Sequence, residues 1–163
     1  ISTYSDYLQM CQEQNYDMKS SQVLFPKHCN EAHDELSRYI KKCRDEQTKR
    51  VFREVYENLA EKANLTSKKL QIVCPKQTDD LITEGQALHH CVGTYIERVA
   101  AKKCLIVFVR RVEEPKKPYV TVEVRNGKIE QIHGDHNSDP TEEVKKFVDL
   151  WSRKVLPMAL QAA

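Results

Sequence analysis

The chain is poor in glycine and proline, with four Gly and six Pro in 163 residues. That excludes a collagen-like, linker-dominated or loop-rich protein. No run of about eighteen apolar residues occurs, so no membrane-spanning helix is expected. No charge sign dominates: 26 Lys and Arg against 24 Asp and Glu give a net charge of +2, which names no partner. No signal-peptide pattern, internal repeat or low-complexity segment is visible. Because it starts at Ile1 and not at Met, the chain is expected to be a fragment of a longer protein. What is present is 40% hydrophobic and 31% charged residues, the balance of a soluble globular chain.

The cysteines also lack a pattern. Cys11, Cys29, Cys43, Cys74, Cys91 and Cys104 are scattered, with no CxxC pair. A chain of this size builds its own core without disulfide staples, and cysteines inside apolar stripes act as small hydrophobes. Six free thiols and a cytoplasmic location are expected.

Periodicity predicts helices in the first third. Tyr4, Tyr7, Leu8 and Cys11 share a stripe over residues 2–14. The short apolar run Val23-Leu24-Phe25, stopped by Pro26, is expected to dock on the core. Asn30 can cap a helix carrying Ala32, Leu36, Tyr39, Ile40 and Cys43. Its stripe fades through residues 41–50 and returns at Val51, Phe52, Val55, Tyr56 and Leu59. One helix reaching Leu65 is the simplest reading, and a break near Asp45 is the alternative.

The pattern then changes. Leu70 to Val73 reads as a strand and Asp79 to Cys91 as a helix with Leu81, Ile82 and Leu88 inward. Gly93 suits a left-handed position after that helix, and Thr94 to Glu97 resembles a capping box. Leu105 to Val109 reads as a strand buried on both faces, and residues 119–125 alternate. Asn126-Gly127 is a strong hairpin signal, with residues 128–133 returning. A final helix carries Val144, Phe147, Val148, Trp151 and Leu156. The expected class is α+β: N-terminal helices (one long), a small antiparallel meander with a hairpin, and a C-terminal helix on the sheet. Residues 1–69 are expected to form the helical region and 70–163 the α+β core, together one compact domain.

Three polar elements stand out: Glu84-Gly85 with Leu88 and His90-Cys91-Val92-Gly93-x-Tyr95; Thr121-x-Glu123; and Gln131-x-x-Gly134-x-x-Asn137. With Arg110 at a strand end and Trp151 in the last helix, they resemble the PcfJ-like family of conjugative plasmids, phages and other mobile elements. The match runs over roughly residues 80–151. The resemblance implies a mobile-element setting and a candidate site, but no established reaction and no cofactor.

The residues suggest several chemistries. His90 and Cys91 offer a base beside a thiol, but helical neighbours point about 100° apart and so make no ready pair. At the last turn of a helix, Cys91 would also have its pKa raised by the dipole; His133 or Glu123 would have to assist. The structural alternative buries Cys91 beneath the sheet. His89, His90, Cys91, His133 and His136 could supply zinc ligands, yet their spacing fits no standard pattern, and no metal is assigned. Glu123, Gln131, Arg110 and Asn137 could bind a polar ligand or perform acid–base chemistry, or simply form a polar sheet face. Hairpin register decides whether two of them can share a site. A two-residue loop opposes Glu123 to Glu130, whereas a three-residue loop with a bulge at Gly127 puts Glu123 and Gln131 on one face.

Basic pairs complete the inventory. Lys102, Lys103, Arg110 and Arg111 flank the candidate site and could form a phosphate footprint, with Lys41, Lys42, Lys49 and Arg50 as the rival patch. The candidate catalytic residues are therefore His90, Cys91, Glu123 and Gln131. The candidate binding residues are Tyr95, Lys102, Lys103, Arg110, Arg111 and Asn137. The leading expectation is a domain acting on or beside nucleic acid. The alternatives are an enzyme using the polar site, and a module whose long helix binds a protein of the mobile element or its host. No membrane partner is expected.

Overall fold

The structure, a computed structural model, describes residues 2–161. Two compact units are present, Ile1–Gln47 and Thr48–Ala163. The division precedes the expected boundary at residues 69 and 70. Its cause is packing: Phe52, Tyr56, Leu59 and Ala63 are buried with the core of the second unit. No helix of the described residues is long and apolar enough to cross a membrane. All six cysteines are free.

In the first unit, α1 (Thr3–Glu13) is capped by the Ser2 hydroxyl and buries Tyr7 and Cys11. These meet Leu36 in a small cluster. Residues 21–24 form a short helix, α2 (Ser21–Leu24). The expectation that Val23-Leu24-Phe25 docks as a whole fails at Phe25, which is 73% exposed. Helix α3 (Cys29–Glu57) is continuous through Asp45 and ends eight residues short of Leu65.

The second unit is built on a four-stranded antiparallel sheet in the order β1 (Leu70–Val73), β2 (Leu105–Arg111), β3 (Val120–Arg125), β4 (Lys128–His133). Between β1 and β2 lie α4 (Thr78–Leu88), a 3₁₀ turn (Val92–Tyr95) and α5 (Ile96–Ala100). After β4 come a short 3₁₀ turn at residues 135–137, α6 (Glu142–Lys154) and α7 (Leu156–Gln161). The expected single last helix is thus two, with Leu156 starting the second. Helix α6 buries Val144, Phe147, Val148 and Trp151, with Glu142 and Glu143 in its first turn and Arg153 and Lys154 in its last, the placement the helix dipole favours.

Registry sorts the sheet into two faces. Phe108 pairs with Thr121, and Ile106 with Glu123. Ile106, Phe108, Arg110, Thr121 and Glu123 therefore share one face. Val107, Val109, Val120, Val122 and Val124 share the other, and all are buried in the main apolar cluster together with the α6 stripe. One face is thus apolar except for Arg111 at the end of β2, and the other carries buried charge.

The hairpin resolves the register question in a third way. Asn126 and Gly127 both have positive φ, 51° and 73°. Arg125 pairs with Lys128 and Val124 with Ile129, as a two-residue turn requires. The register then shifts, so that Glu123 meets Gln131. The extra residue is Glu130, and the bulge lies along the strand instead of at Gly127. It removes the direct opposition of two carboxylates that an unbroken ladder would impose. Gly127→Val is expected to destabilise by about 1–2 kcal/mol, because a β-branched residue resists this backbone conformation. A Cβ there would meet only Leu160 Cδ1, at 3.7 Å, so the cost is conformational and not steric. Gly127→Asn is expected to lose much less, and chemical denaturation of the two variants checks the difference.

Candidate functional site

The site begins where α4 ends. Leu81, Glu84, Gly85 and Leu88 lie on its buried stripe, so a carboxylate is carried inward with the leucines. His89 closes the helix in the left-handed conformation, at φ 52° and ψ 46°, the role expected of Gly93. The chain then folds back over Gly85, where an added Cβ would lie 2.9 Å from the His90 carbonyl oxygen and 3.3 Å from the Gly93 nitrogen. Gly85 is required for this close approach. The Thr94 hydroxyl bonds the Cys91 carbonyl at 2.8 Å and caps no helix.

Beneath this turn Glu84 is 1% exposed and Arg110 6%. The Arg110 guanidinium grips the carboxylate with both terminal nitrogens, Nη1 lying 2.9 Å from Oε1. It also stacks on Phe108, 4.6 Å from the ring centroid. The Thr121 hydroxyl donates to Glu84 Oε1 at 3.0 Å. With its one hydrogen committed to an acceptor-only carboxylate, Thr121 accepts from His90 Nε2, also at 3.0 Å. His90 therefore carries its proton on Nε2, and burial lowers its pKa from the ordinary value. The chain of bonds from Arg110 through Glu84 and Thr121 holds the imidazole at one angle.

Glu123 lies beside this network, 3% exposed. Arg125 Nη2 reaches its Oε1 at 2.9 Å, while Oε2 is buried and without a partner. Opposite it Gln131 Oε1 accepts from His133 Nε2 at 3.1 Å, which leaves His133 Nδ1 as a second buried atom without a partner. Tyr95 has its pKa raised, first by burial and then by the nearby Glu123 charge; the same two causes raise Cys104.

A cavity of about 40 Å³ is lined by His90, Cys91, Tyr95, Glu123, Gln131 and Asn137 together with Val92, Ile106, Thr121 and His133. All four candidate catalytic residues thus border one pocket, with two of the candidate binding residues. Cys91 is exposed and lies past the end of α4, so neither burial beneath the sheet nor the helix-dipole argument applies to it.

The basic residues divide differently. Arg110 is turned into the interior and paired with Glu84, so it is not a surface cation for phosphate. Arg111 stacks on Tyr119 at 4.3 Å. Lys102 lines a separate groove with Glu54, Val55 and Leu160. Lys103 precedes β2 and Arg111 ends it, and the strand between them is roughly 20 Å long at about 3.3 Å per residue. The four do not make one footprint. In the rival group, Arg50 lies 3.8 Å from Glu54.

Sequence reasoning left Glu84 out of the site. Its signal was an acidic residue at helical spacing among Leu81, Gly85 and Leu88. Of the histidines weighed as metal ligands, His90 and His133 are engaged by Thr121 and Gln131. His89 and His136 instead meet over Asp135, a residue not weighed. Both Nδ1 atoms lie against Asp135 Oδ1, at 3.0 and 2.9 Å. The rings stack with centroids 4.2 Å apart.

Comparison with known proteins agrees with the sequence pattern. The PcfJ-like protein family matches residues 3–148. An uncharacterised protein of Listeria innocua serovar 6a, Lin1253/Lin1744, is 33% identical over 157 residues, which is 95% of this chain and 34% of the relative. The chain thus spans about a third of the length of that relative. No solved structure matches it significantly. The chain belongs to the PcfJ-like family.

Proposed function

We propose that the domain is a hydrolytic enzyme of a mobile element, that the pocket is its active site, and that its substrate is a nucleic acid. The observation that carries the reading is Glu123, a pocket-lining residue with one carboxylate oxygen buried without a partner. Leaving such an atom unpaired is costly, and functional sites are where proteins retain that cost. The pocket's size limits what enters: about 40 Å³ suits one or two water-sized groups. Its two unpartnered atoms, Glu123 Oε2 and His133 Nδ1, are both acceptors in the tautomer that the Gln131 bond selects. A water donating to them would turn its lone pairs toward the rim. As its oxygen bonds to a backbone phosphorus, Glu123 would take its proton, the P–O bond to one sugar oxygen would break, and that oxygen would leave with a proton from solvent. His90, held by Thr121, fixes one wall, and Gln131 and Asn137 offer amide contacts. Tyr95, with Arg98 stacked 4.8 Å from its ring centroid, offers the aromatic and cationic surface on which a base or phosphate rests. Cys91 borders the same rim as the alternative nucleophile. Six free thiols support a cytoplasmic setting.

End-labelled single- and double-stranded DNA and RNA at low salt test the reading, with binding followed by anisotropy and product by gel. Cleavage by the native chain is expected. Glu123→Gln is expected to lower the rate at least about a hundredfold, while its melting temperature stays level or rises because a buried charge is gone. Full turnover in that variant sinks the role of Glu123. Binding without product favours a domain that acts beside nucleic acid, and neither binding nor product at tens of micromolar protein removes nucleic acid as the substrate.

A second reading rests on the first unit, where Tyr4, Tyr16, Phe25 and Tyr39 are exposed. Such aromatics suit a protein partner from the mobile element or its host. This reading gains if no nucleic acid binds.

A further inference from the structure

We propose that His89, Asp135 and His136 form a site for a divalent transition-metal ion, of which Zn²⁺ is the expected member, at the lip of the pocket. His89 comes from the turn after α4, and Asp135 and His136 from the turn after β4; His89 and Asp135, 46 positions apart, meet only through the fold. One ligand atom from each lies within 4.8 Å of the others. The spacing matches what an ion needs. With bonds of about 2.1 Å, adjacent ligand atoms stand about 3.0 Å apart at right angles and about 3.4 Å apart in a tetrahedron. The two Nδ1 to Oδ1 separations are 3.0 and 2.9 Å. An ion would take the place of the two imidazole protons, the ligand atoms of the two histidines lying within 4.8 Å of each other.

The donor set selects the metal class. Two imidazoles and one carboxylate favour Zn²⁺, Co²⁺ or Ni²⁺ over Mg²⁺ and Ca²⁺, which prefer all-oxygen sites. Three protein ligands leave coordination positions open, the arrangement of catalytic and not structural zinc. A separate observation points to the same place. His90 and Cys91 follow His89, while His133 and Asn137 flank Asp135 and His136, and all four line the pocket that Glu123 also lines. An ion here would stand next to that pocket. The proposal rests on the three ligands and not on the hydrolytic reading.

Cobalt and zinc titrations of the full chain, kept reduced with a phosphine, test it. One equivalent of Co²⁺ is expected to bind with visible ligand-field bands and without the near-ultraviolet thiolate band that coordination by any of the six cysteines would produce. Zn²⁺ is expected to displace it and to raise the melting temperature, whereas Mg²⁺ does neither. His89→Ala and His136→Ala should each weaken binding at least tenfold while the far-ultraviolet circular dichroism is unchanged. Glu123→Gln should leave binding intact, which separates this test from that of the active site. Binding that survives in both histidine variants, a thiolate band, or no binding at a hundred micromolar Co²⁺ overturns the proposal.

Discussion

Glu84→Ala is expected to destabilise the protein by about 3–5 kcal/mol, because it leaves a buried guanidinium without its counter-ion. The Glu84 and Arg110 side chains are 1% and 7% exposed, so water cannot replace the lost carboxylate. Thr121 would lose its acceptor in the same step. The penalty belongs to the orphaned partner more than to the pair. Bringing two charges out of water costs nearly what their attraction returns, so an apolar pair of similar volume can stand in for them. The double variant Glu84→Leu with Arg110→Met is therefore expected to recover most of the loss. Urea denaturation of the two variants against the native chain checks this. A loss below about 1 kcal/mol for Glu84→Ala would mean that water reaches the pair.

Tyr56→Phe is expected to cost about 2–4 kcal/mol, a large effect for one oxygen atom. The Tyr56 hydroxyl donates to the Ile106 carbonyl at 2.8 Å and accepts from the Ile106 amide at 3.0 Å. Strand β1 pairs with β2 only from Leu70–Arg111 to Val73–Phe108, so it stops before reaching Ile106. The tyrosine completes the ladder where the strand has ended, and Phe would leave two buried backbone groups unpaired. The same burial pushes the Tyr56 pKa up, so the hydroxyl keeps its proton throughout the range in which the protein is handled. Denaturation midpoints decide the point. A cost under about 0.5 kcal/mol would mean that water reaches Ile106.

Much of this arrangement was legible locally. Strand β2 was visible because its residues are apolar and β-branched on both faces, and the hairpin because Asn and Gly tolerate positive φ. Trp151 was visible on a helical stripe, and it is fully buried with its indole nitrogen 2.7 Å from the Ala63 carbonyl oxygen. The family pattern singled out His90, Cys91, Glu123, Gln131 and Asn137, five residues that border one cavity. What determined these readings is periodicity and backbone preference, which depend on neighbours a few residues away.

The rest depended on partners far along the chain. Nothing near Arg110 distinguishes a phosphate contact from a buried ion pair; Glu84, 26 residues away, decides it. Gly93 had the residue type for a left-handed helix end, but packing over Gly85 gave that conformation to His89. The bulge at Glu130 arises across the ladder from Glu123, so turn chemistry alone could not place it. Asp135 drew no notice because its two imidazoles come from different turns. The sequence by itself determined which segments are helix or strand and which polar residues are unusual. Only the tertiary structure decided which charges face each other, because pairing and desolvation act through space between residues that the chain keeps apart.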